Sequence, residues 1–95
     1  MRFLIFSEDK PNSLDIRKAA RDAHLAFLKA DTSATVLMAG PWLDASGNMA
    51  GSLLVVESES RETLDGWMRR DPYTAAGLQG QVTVKPFIWA VGASE

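Results

Sequence analysis

The chain has 95 residues, of which 46% are hydrophobic and 23% charged, a composition typical of one globular domain spanning residues 1–95. Ten basic and twelve acidic residues give a formal net charge of −2, so the sequence offers no basic field for nucleic acid or an anionic membrane. The chain has no cysteine, which excludes disulfides and thiolate sites, and no apolar run suits a signal peptide or membrane span, so we expect a cytoplasmic protein.

The first half of the sequence predicts a strand, a helix and a second strand. Arg2–Ser7 is dominated by Phe and Ile and ends at a polar turn, which favours a strand. Ser13 or Asn12 is placed to cap a helix over Leu14–Ala30, a stretch rich in Ala and Leu. Thr35–Ala39 is a short second strand that we expect to stop at the following Gly-Pro pair, because proline lacks the ladder donor.

The second half predicts a strand, a helix and a final strand. After a loop rich in Gly, Asn and Asp, the apolar run Ser52–Glu57 indicates a strand. Ser60 can cap a helix over Arg61–Arg70, and Asp71 ends that helix because it precedes a proline. A short turn leads to a strand over Gln81–Val91, and the proline inside it predicts an edge position or a bulge.

This order of elements, β-α-β-β-α-β, predicts an α+β ferredoxin-like fold with two helices on one face of a four-stranded antiparallel sheet. The strands are nevertheless apolar in both phases, as in Phe3–Phe6 and Leu53–Val56, so both sheet faces favour burial. A second copy of the sheet would cover the open face and give a homodimer of the dimeric α/β-barrel kind. The alternative is an open sheet with an apolar, solvent-exposed face.

Three polar residues interrupt the apolar arc of the first predicted helix along one line: Arg17, Arg21 and His24. The arginine heads could extend past the helix to solvent, the histidine could be a satisfied core residue, or the line could form the wall of a ligand cavity. His24 is the only histidine in the chain, so it cannot belong to a site with several histidines and one metal. The arginines could attract an anionic substrate.

Asp71 is the second candidate, because a carboxylate at the end of the second helix could reach the first helix and orient His24 as a general acid or base. An Asp-Pro pair is also an ordinary turn signal. Tyr73 could donate a hydrogen bond from the same turn or be a buried core residue. Ser52 is a weaker candidate, since no nucleophile-elbow pattern surrounds it. No phosphate loop, dinucleotide fingerprint, zinc motif or EF-hand loop occurs, so no metal or cofactor is expected.

Five short motifs, in this order and spacing, resemble the YCII-related (YciI-like) family over nearly the whole chain. They are Arg21-x-x-His24-Leu25, Ala39-Gly40-Pro41, Gly51-Ser52, Asp71-Pro72-Tyr73 with Ala76-Gly77, and Val82-x-Val84-Lys85-Pro86-Phe87. The resemblance implies a ferredoxin-like fold of the dimeric α/β-barrel group, with His24 and Asp71 as an active-site pair and Tyr73 and Ser52 at matching motif positions. A few members of the family are linked to dehydrochlorination or related steps on aromatic rings.

The sequence therefore leads to the hypothesis of a small enzyme that uses His24 and Asp71 as an acid–base pair on a small organic molecule, aromatic or anionic, without a cofactor. Arg21, Ser52 and Tyr73 are the expected substrate-binding residues. Two other interpretations stay open at this point. The same cavity could belong to a non-catalytic ligand-binding or interaction module, or the pair could be a buried tether between helices.

Overall fold

The computed structural model describes residues 1–30 and 33–92. Four strands and three helices follow one another along this part of the chain. They are β1 (Arg2–Asp9), α1 (Leu14–Lys29), β2 (Ala34–Leu43), β3 (Met49–Ser58), α2 (Arg61–Arg69), α3 (Pro72–Ala75) and β4 (Gln79–Pro86). The strands form one antiparallel sheet in the order β2-β3-β1-β4, so the predicted α+β ferredoxin-like fold is confirmed.

The hydrophobic core lies between the sheet and the helices. Phe3 pairs with Val56 and Ile5 pairs with Leu54 across β1 and β3, and these four side chains belong to one buried cluster with Trp67 of α2. Residues two apart on a strand share a face, so this alternation defines the helix-covered side of the sheet.

Helix α1 begins where the sequence predicts but without the expected cap. Ser13 occupies the N-cap position, and its side chain makes no capping bond to the helix because its hydroxyl donates to the carbonyl of Lys10. Asp15 lies in the first turn and Lys29 in the last, and both charges complement the helix dipole. The orientation of α1 therefore depends mainly on its buried face.

Two strand ends differ from the prediction, and both differences involve proline. Strand β2 continues through Pro41, which pairs with Ser52 of β3. Because β2 is an edge strand, it is hydrogen-bonded to a neighbour on one side only, and a proline without an N–H is tolerated there. The prediction that the strand stops at the Gly-Pro pair was therefore wrong. Strand β4 is the other edge, as Pro86 predicted, but it ends at that proline, so the predicted continuation of the strand over residues 87–91 was wrong.

The segment after α2 is more ordered than the predicted turn. Ser60 caps α2 by accepting a hydrogen bond from the Thr63 N–H at 3.1 Å, as its position indicates. Asp71 then acts as the N-cap of the short helix α3, with Pro72 at its first position, where a missing N–H costs nothing. Helix α3 packs against α1, and this contact positions the candidate site.

The open face of the sheet carries a contact that requires a glycine. The ring of Trp42 stacks on Phe6 with centroids 5.5 Å apart, and its Nε1 donates to the carbonyl of Ser7 at 2.8 Å. To reach β1, the indole passes over Gly51, where an added Cβ would lie 2.1 Å from Trp42 Nε1. Only glycine leaves room for this crossing.

In the described part of the chain, the helices are too short or too polar for any of them to span a bilayer.

Candidate active site

Helix α1 presents Arg17 and His24 to the protein interior. The two residues are seven positions apart, which places them on the same side of the helix two turns from each other. Both are buried, whereas Arg21 between them is exposed at the edge of the same line. The polar line that interrupts the apolar arc is therefore directed inward at two of its three positions.

His24 is hydrogen-bonded to the carboxylate that the sequence proposes as its partner. The distance from His24 Nδ1 to Asp71 Oδ1 is 2.8 Å, and both residues are about 95% buried, with 5% and 6% exposure. A carboxylate accepts, so Nδ1 carries a hydrogen and a neutral ring holds its free lone pair at Nε2. Among the described residues His24 Nε2 has no hydrogen-bond partner.

The oxygen of Asp71 that binds His24 also caps helix α3. Asp71 Oδ1 accepts the N–H of Tyr73 at 3.0 Å, in addition to the bond from the imidazole. The same oxygen atom therefore serves both roles that the sequence suggests for Asp71, in the turn and as the partner of His24. Since α3 fixes the carboxylate and the carboxylate fixes the ring, the orientation of His24 depends on a backbone turn 47 residues away in sequence.

Tyr73 forms one wall of the site. Its ring lies parallel to the imidazole of His24, with centroids 3.7 Å apart and planes 11° apart. Burial raises the pKa of the Tyr73 phenol, and the positive charges of Arg17 and Arg21 oppose that rise only in part. The hydroxyl is therefore neutral at physiological pH and can donate a hydrogen bond.

A second buried pair lies beside the first. Arg17 donates from Nε and Nη2 to the two oxygens of Asp9, at 2.7 and 2.9 Å, and from Nη2 to Ser52 Oγ at 2.8 Å. Burial disfavours the guanidinium charge, but the hydrogen bonds and charge of Asp9 outweigh it, and the pKa of Arg17 is raised. Its guanidinium also lies 4.8 Å from the centre of the Tyr73 ring, so this cation fixes both Ser52 and Tyr73.

An open cleft of about 140 Å³ lies beside His24. Its polar walls are Arg17, Arg21, His24, Ser52 and Tyr73, and its apolar walls are Leu25, Leu28, Ala39, Gly40, Pro41 and Leu54. Asp71 lies behind the imidazole, at an inner cavity of about 20 Å³, which is large enough for one water molecule. The histidine thus separates the cleft from the carboxylate that orients it.

The chain from Met1 to Ile88 matches the sequence model of the YCII-related domain. The chain belongs to the YCII-related family. Protein YciI of Escherichia coli O6:H1 is 38% identical over 94 residues, which cover 92% of this chain and 96% of that protein.

Two solved structures resemble this YCII-related protein to different degrees. The 5-chloro-2-hydroxyhydroquinone dehydrochlorinase TftG from Burkholderia phenoliruptrix, in complex with 2,5-dihydroxybenzoquinone, is 35% identical with a TM-score of 0.82, covering 93% of this chain and 94% of its own. An antibiotic biosynthesis monooxygenase is 14% identical with a TM-score of 0.53, covering 92% of this chain and 97% of its own. The second likeness concerns the fold alone.

The structure brings together all five site residues that the sequence singles out in this YCII-related chain. His24 bonds to Asp71, and Arg21, Ser52 and Tyr73 line the same cleft as His24. Asp71 lines the inner cavity together with His24 and Tyr73, and not the open cleft.

The sequence does not identify the bidentate partner of Arg17. Asp9 belongs to the polar cluster that it assigns to a turn, whereas the structure extends β1 to Asp9. The signal that could have found the pair is the inward position of Arg17 on α1, which requires a buried anion nearby. In the described part of the chain, no group of three or more His, Cys, Asp or Glu residues is arranged to hold a metal ion.

Proposed function

We propose that this protein is an enzyme that moves protons on a small hydroxylated aromatic or quinoid molecule, with His24 Nε2 as the acid–base group. The observation that carries the proposal is the asymmetry of the imidazole. Its Nδ1 is held by Asp71 at 2.8 Å, while the ring lines an open cleft and its other nitrogen is unpartnered within the described residues. An oriented imidazole with one nitrogen free toward a cleft is what general acid–base catalysis requires.

The walls of the cleft support a planar, anionic substrate. Arg21 is exposed at the rim and places a positive charge beside the opening, and the neutral hydroxyl of Tyr73 is a donor for a ring oxygen. Leu25, Leu28 and Pro41 supply apolar surface of the kind that packs against a ring. The relative TftG is named as an enzyme of a chlorinated hydroxyhydroquinone and is bound to a quinone, which is the same chemical class.

The proposed reaction begins when His24 Nε2 accepts the proton of a ring hydroxyl. The O–H bond breaks, its electron pair forms a C=O bond, and the displaced ring electrons take the proton back from the imidazolium at carbon. If that carbon carries chlorine, loss of a second hydroxyl proton then expels chloride with the carbon–chlorine electron pair. The net products are a quinone, a proton and chloride, so the step needs neither an oxidant nor a reductant.

The test uses 5-chloro-2-hydroxyhydroquinone as the probe and chloride release as the signal. We expect His24→Gln to lower kcat by about 10²- to 10⁴-fold, the range for a lost acid–base group, with the fold retained in circular dichroism. Asp22→Asn is the matched control, because Asp22 is an exposed residue of the same helix, and it should leave turnover unchanged.

Three other outcomes would contradict the proposal, each in a different way. If His24→Gln keeps near-full turnover, the catalytic assignment is wrong. If wild-type protein shows no turnover while 2,5-dihydroxybenzoquinone raises its melting temperature through binding, the protein is a ligand-binding module. If the variant only loses stability, the His24–Asp71 pair is a tether.

We also propose that the protein is a homodimer joined through the open sheet face. Leu4, Phe6 and Leu53 alternate with the core residues of β1 and β3 and therefore lie on the side without helices. Phe6 and Met38 are 37% and 40% exposed, so large apolar side chains face outward there. Sedimentation should give twice the chain mass at micromolar concentration, and Phe6→Glu should shift the protein toward monomer. A wild-type monomer would contradict the proposal.

A further inference from the structure

A larger apolar groove adjoins the cleft beside His24. The groove has a volume of about 470 Å³ and is lined by Leu25, Leu28, Lys29, Ala30, Ala34, Thr35, Val36 and Ala39. Leu25, Leu28 and Ala39 belong to both the cleft and the groove. The groove therefore adjoins the space beside His24, and the two spaces differ in chemistry.

Small side chains on β2 create this space. Ala34 and Ala39 face α1 at positions where larger residues would fill the gap between strand and helix. The groove follows α1 from Leu25 to Ala30, five helical steps that span about 7.5 Å at the usual rise. A ring without substituents at His24 would occupy the cleft of about 140 Å³ and would leave this length of groove empty.

Among the described lining residues, the ionisable side chains lie beside the cleft and at one position on the far rim of the groove. Arg17, Arg21 and His24 line the cleft, whereas Lys29 is the only charged residue among the described residues that line the groove. The partition matches an amphiphilic molecule, with an ionisable head and an apolar remainder. A small hydrophilic ring would leave the leucines of the groove exposed to water.

We propose that the substrate carries an apolar substituent, such as a short alkyl chain, that occupies this groove while its hydroxylated ring lies at His24. The inference rests on the proposed function for the identity of the ring and adds the class of the substituent. Each methylene that leaves water on binding should tighten binding by about threefold to fourfold. The dimer interface proposed above lies on the opposite sheet face and leaves the groove open.

Two probes test the inference by isothermal titration calorimetry: 2,5-dihydroxybenzoquinone and its 3-hexyl derivative. We expect the hexyl compound to bind wild-type protein at least about thirtyfold more tightly, well below the ~10³-fold limit for six fully buried methylenes. Ala30→Trp and Thr35→Trp place an indole at the groove from α1 and from β2. Both should abolish that gain and leave the affinity for the unsubstituted quinone unchanged. Ala26→Trp is the matched control, because Ala26 is exposed on the same helix and is not among the groove residues.

The other outcomes test the groove assignment and the proposed function separately. Equal affinity for the two probes would overturn the groove assignment and leave the proposed function intact. A hexyl gain that survives both tryptophan variants would place the chain elsewhere and also overturn it. If only the hexyl compound binds, and the tryptophan variants prevent this, the groove stands and the proposed ring chemistry fails. If neither compound binds, both proposals are wrong.

Discussion

Helix α1 carries two buried side chains that bond to aspartates, Arg17 and His24, and a comparison of the two pairs shows what the proposed chemistry requires. Arg17 donates three hydrogen bonds, two to Asp9 and one to Ser52, and its charge is permanent. His24 bonds to Asp71 through Nδ1, and its Nε2 has no partner in the described part of the chain. Both pairs attach the same helix face to another element. What distinguishes them is whether an atom remains available to a ligand.

The largest effect that would sharpen this comparison is on stability, at the arginine pair. Arg17→Met should lower the free energy of unfolding by about 3 to 5 kcal/mol, because it leaves the Asp9 carboxylate buried without its cation. Arg17→Met combined with Asp9→Leu should recover most of that loss, since no unpaired charge remains. Urea unfolding measures both. A single variant as stable as the wild type would show that the pair does not hold α1.

The next effect is on activity, at the histidine pair, where Asp71 has two separable roles. Asp71→Asn keeps an oxygen that can cap α3, since Asn and Asp are comparable N-caps, but it replaces the charged acceptor of the His24 imidazole with a neutral amide. We expect kcat to fall by about 10²- to 10⁴-fold with little change in melting temperature.

The matched variant is Asp71→Ala, which also loses the cap. It should lose the same activity and a further ~0.5 to 2 kcal/mol of unfolding free energy. Chloride release and thermal melts on both variants separate the roles. If Asp71→Asn retains full turnover, the carboxylate is a cap and nothing more.

A third effect is on pH dependence and involves Tyr73, which contacts both pairs. Burial raises the pKa of this phenol above its ordinary value of 10.0, so above about pH 10 the unfolded chain loses a proton that the folded protein keeps. The unfolded state then binds fewer protons, and the free energy of unfolding falls as pH rises. Tyr73→Phe should lose this component of the alkaline slope.

Tyr73 is the only tyrosine in the sequence, so tyrosinate absorbance reports this group alone. Its titration midpoint in folded protein should lie above that in urea. Coincident midpoints would contradict the structural assignment.

The smallest expected effect is at the exposed Arg21. Arg21→Gln should raise KM for the chlorinated hydroxyhydroquinone by about twofold to fivefold, the scale of one solvent-exposed charge contact, and leave kcat unchanged. Added salt should reduce the difference between variant and wild type, because exposed charges are screened. A kcat effect instead of a KM effect would place Arg21 in the chemical step.

The sequence predicts most of the fold because the helices and strands follow local signals. Ser60 and the Asp-Pro pair at Asp71 set the bounds of α2, and the apolar alternation sets the sheet. The error at Pro41 has a different origin. Whether a proline stops a strand depends on whether the strand is an edge, and that property is fixed only when β2 pairs with β3.

The candidate site shows the same division. The inward line on α1 identifies Arg17 and His24, and Asp71 is identified by its position at the end of the second helix, with which the family motif agrees. The Asp9–Arg17 pair was not predicted, because it requires β1 to extend to Asp9 beside the first turns of α1. The groove was not predicted either, since single alanines on a strand carry no signal until a helix lies opposite them.

The shared oxygen of Asp71 has a consequence for how members of this family are compared. One atom satisfies the N–H of Tyr73 and the imidazole of His24, so selection for a well-formed turn alone would retain the aspartate. An Asp-Pro-Tyr motif in a relative therefore does not by itself indicate the proposed acid–base activity. The diagnostic feature is the histidine on the first helix, because the turn does not need an imidazole. A relative that keeps the aspartate but replaces the histidine is expected to fold and to lack the proposed acid–base activity.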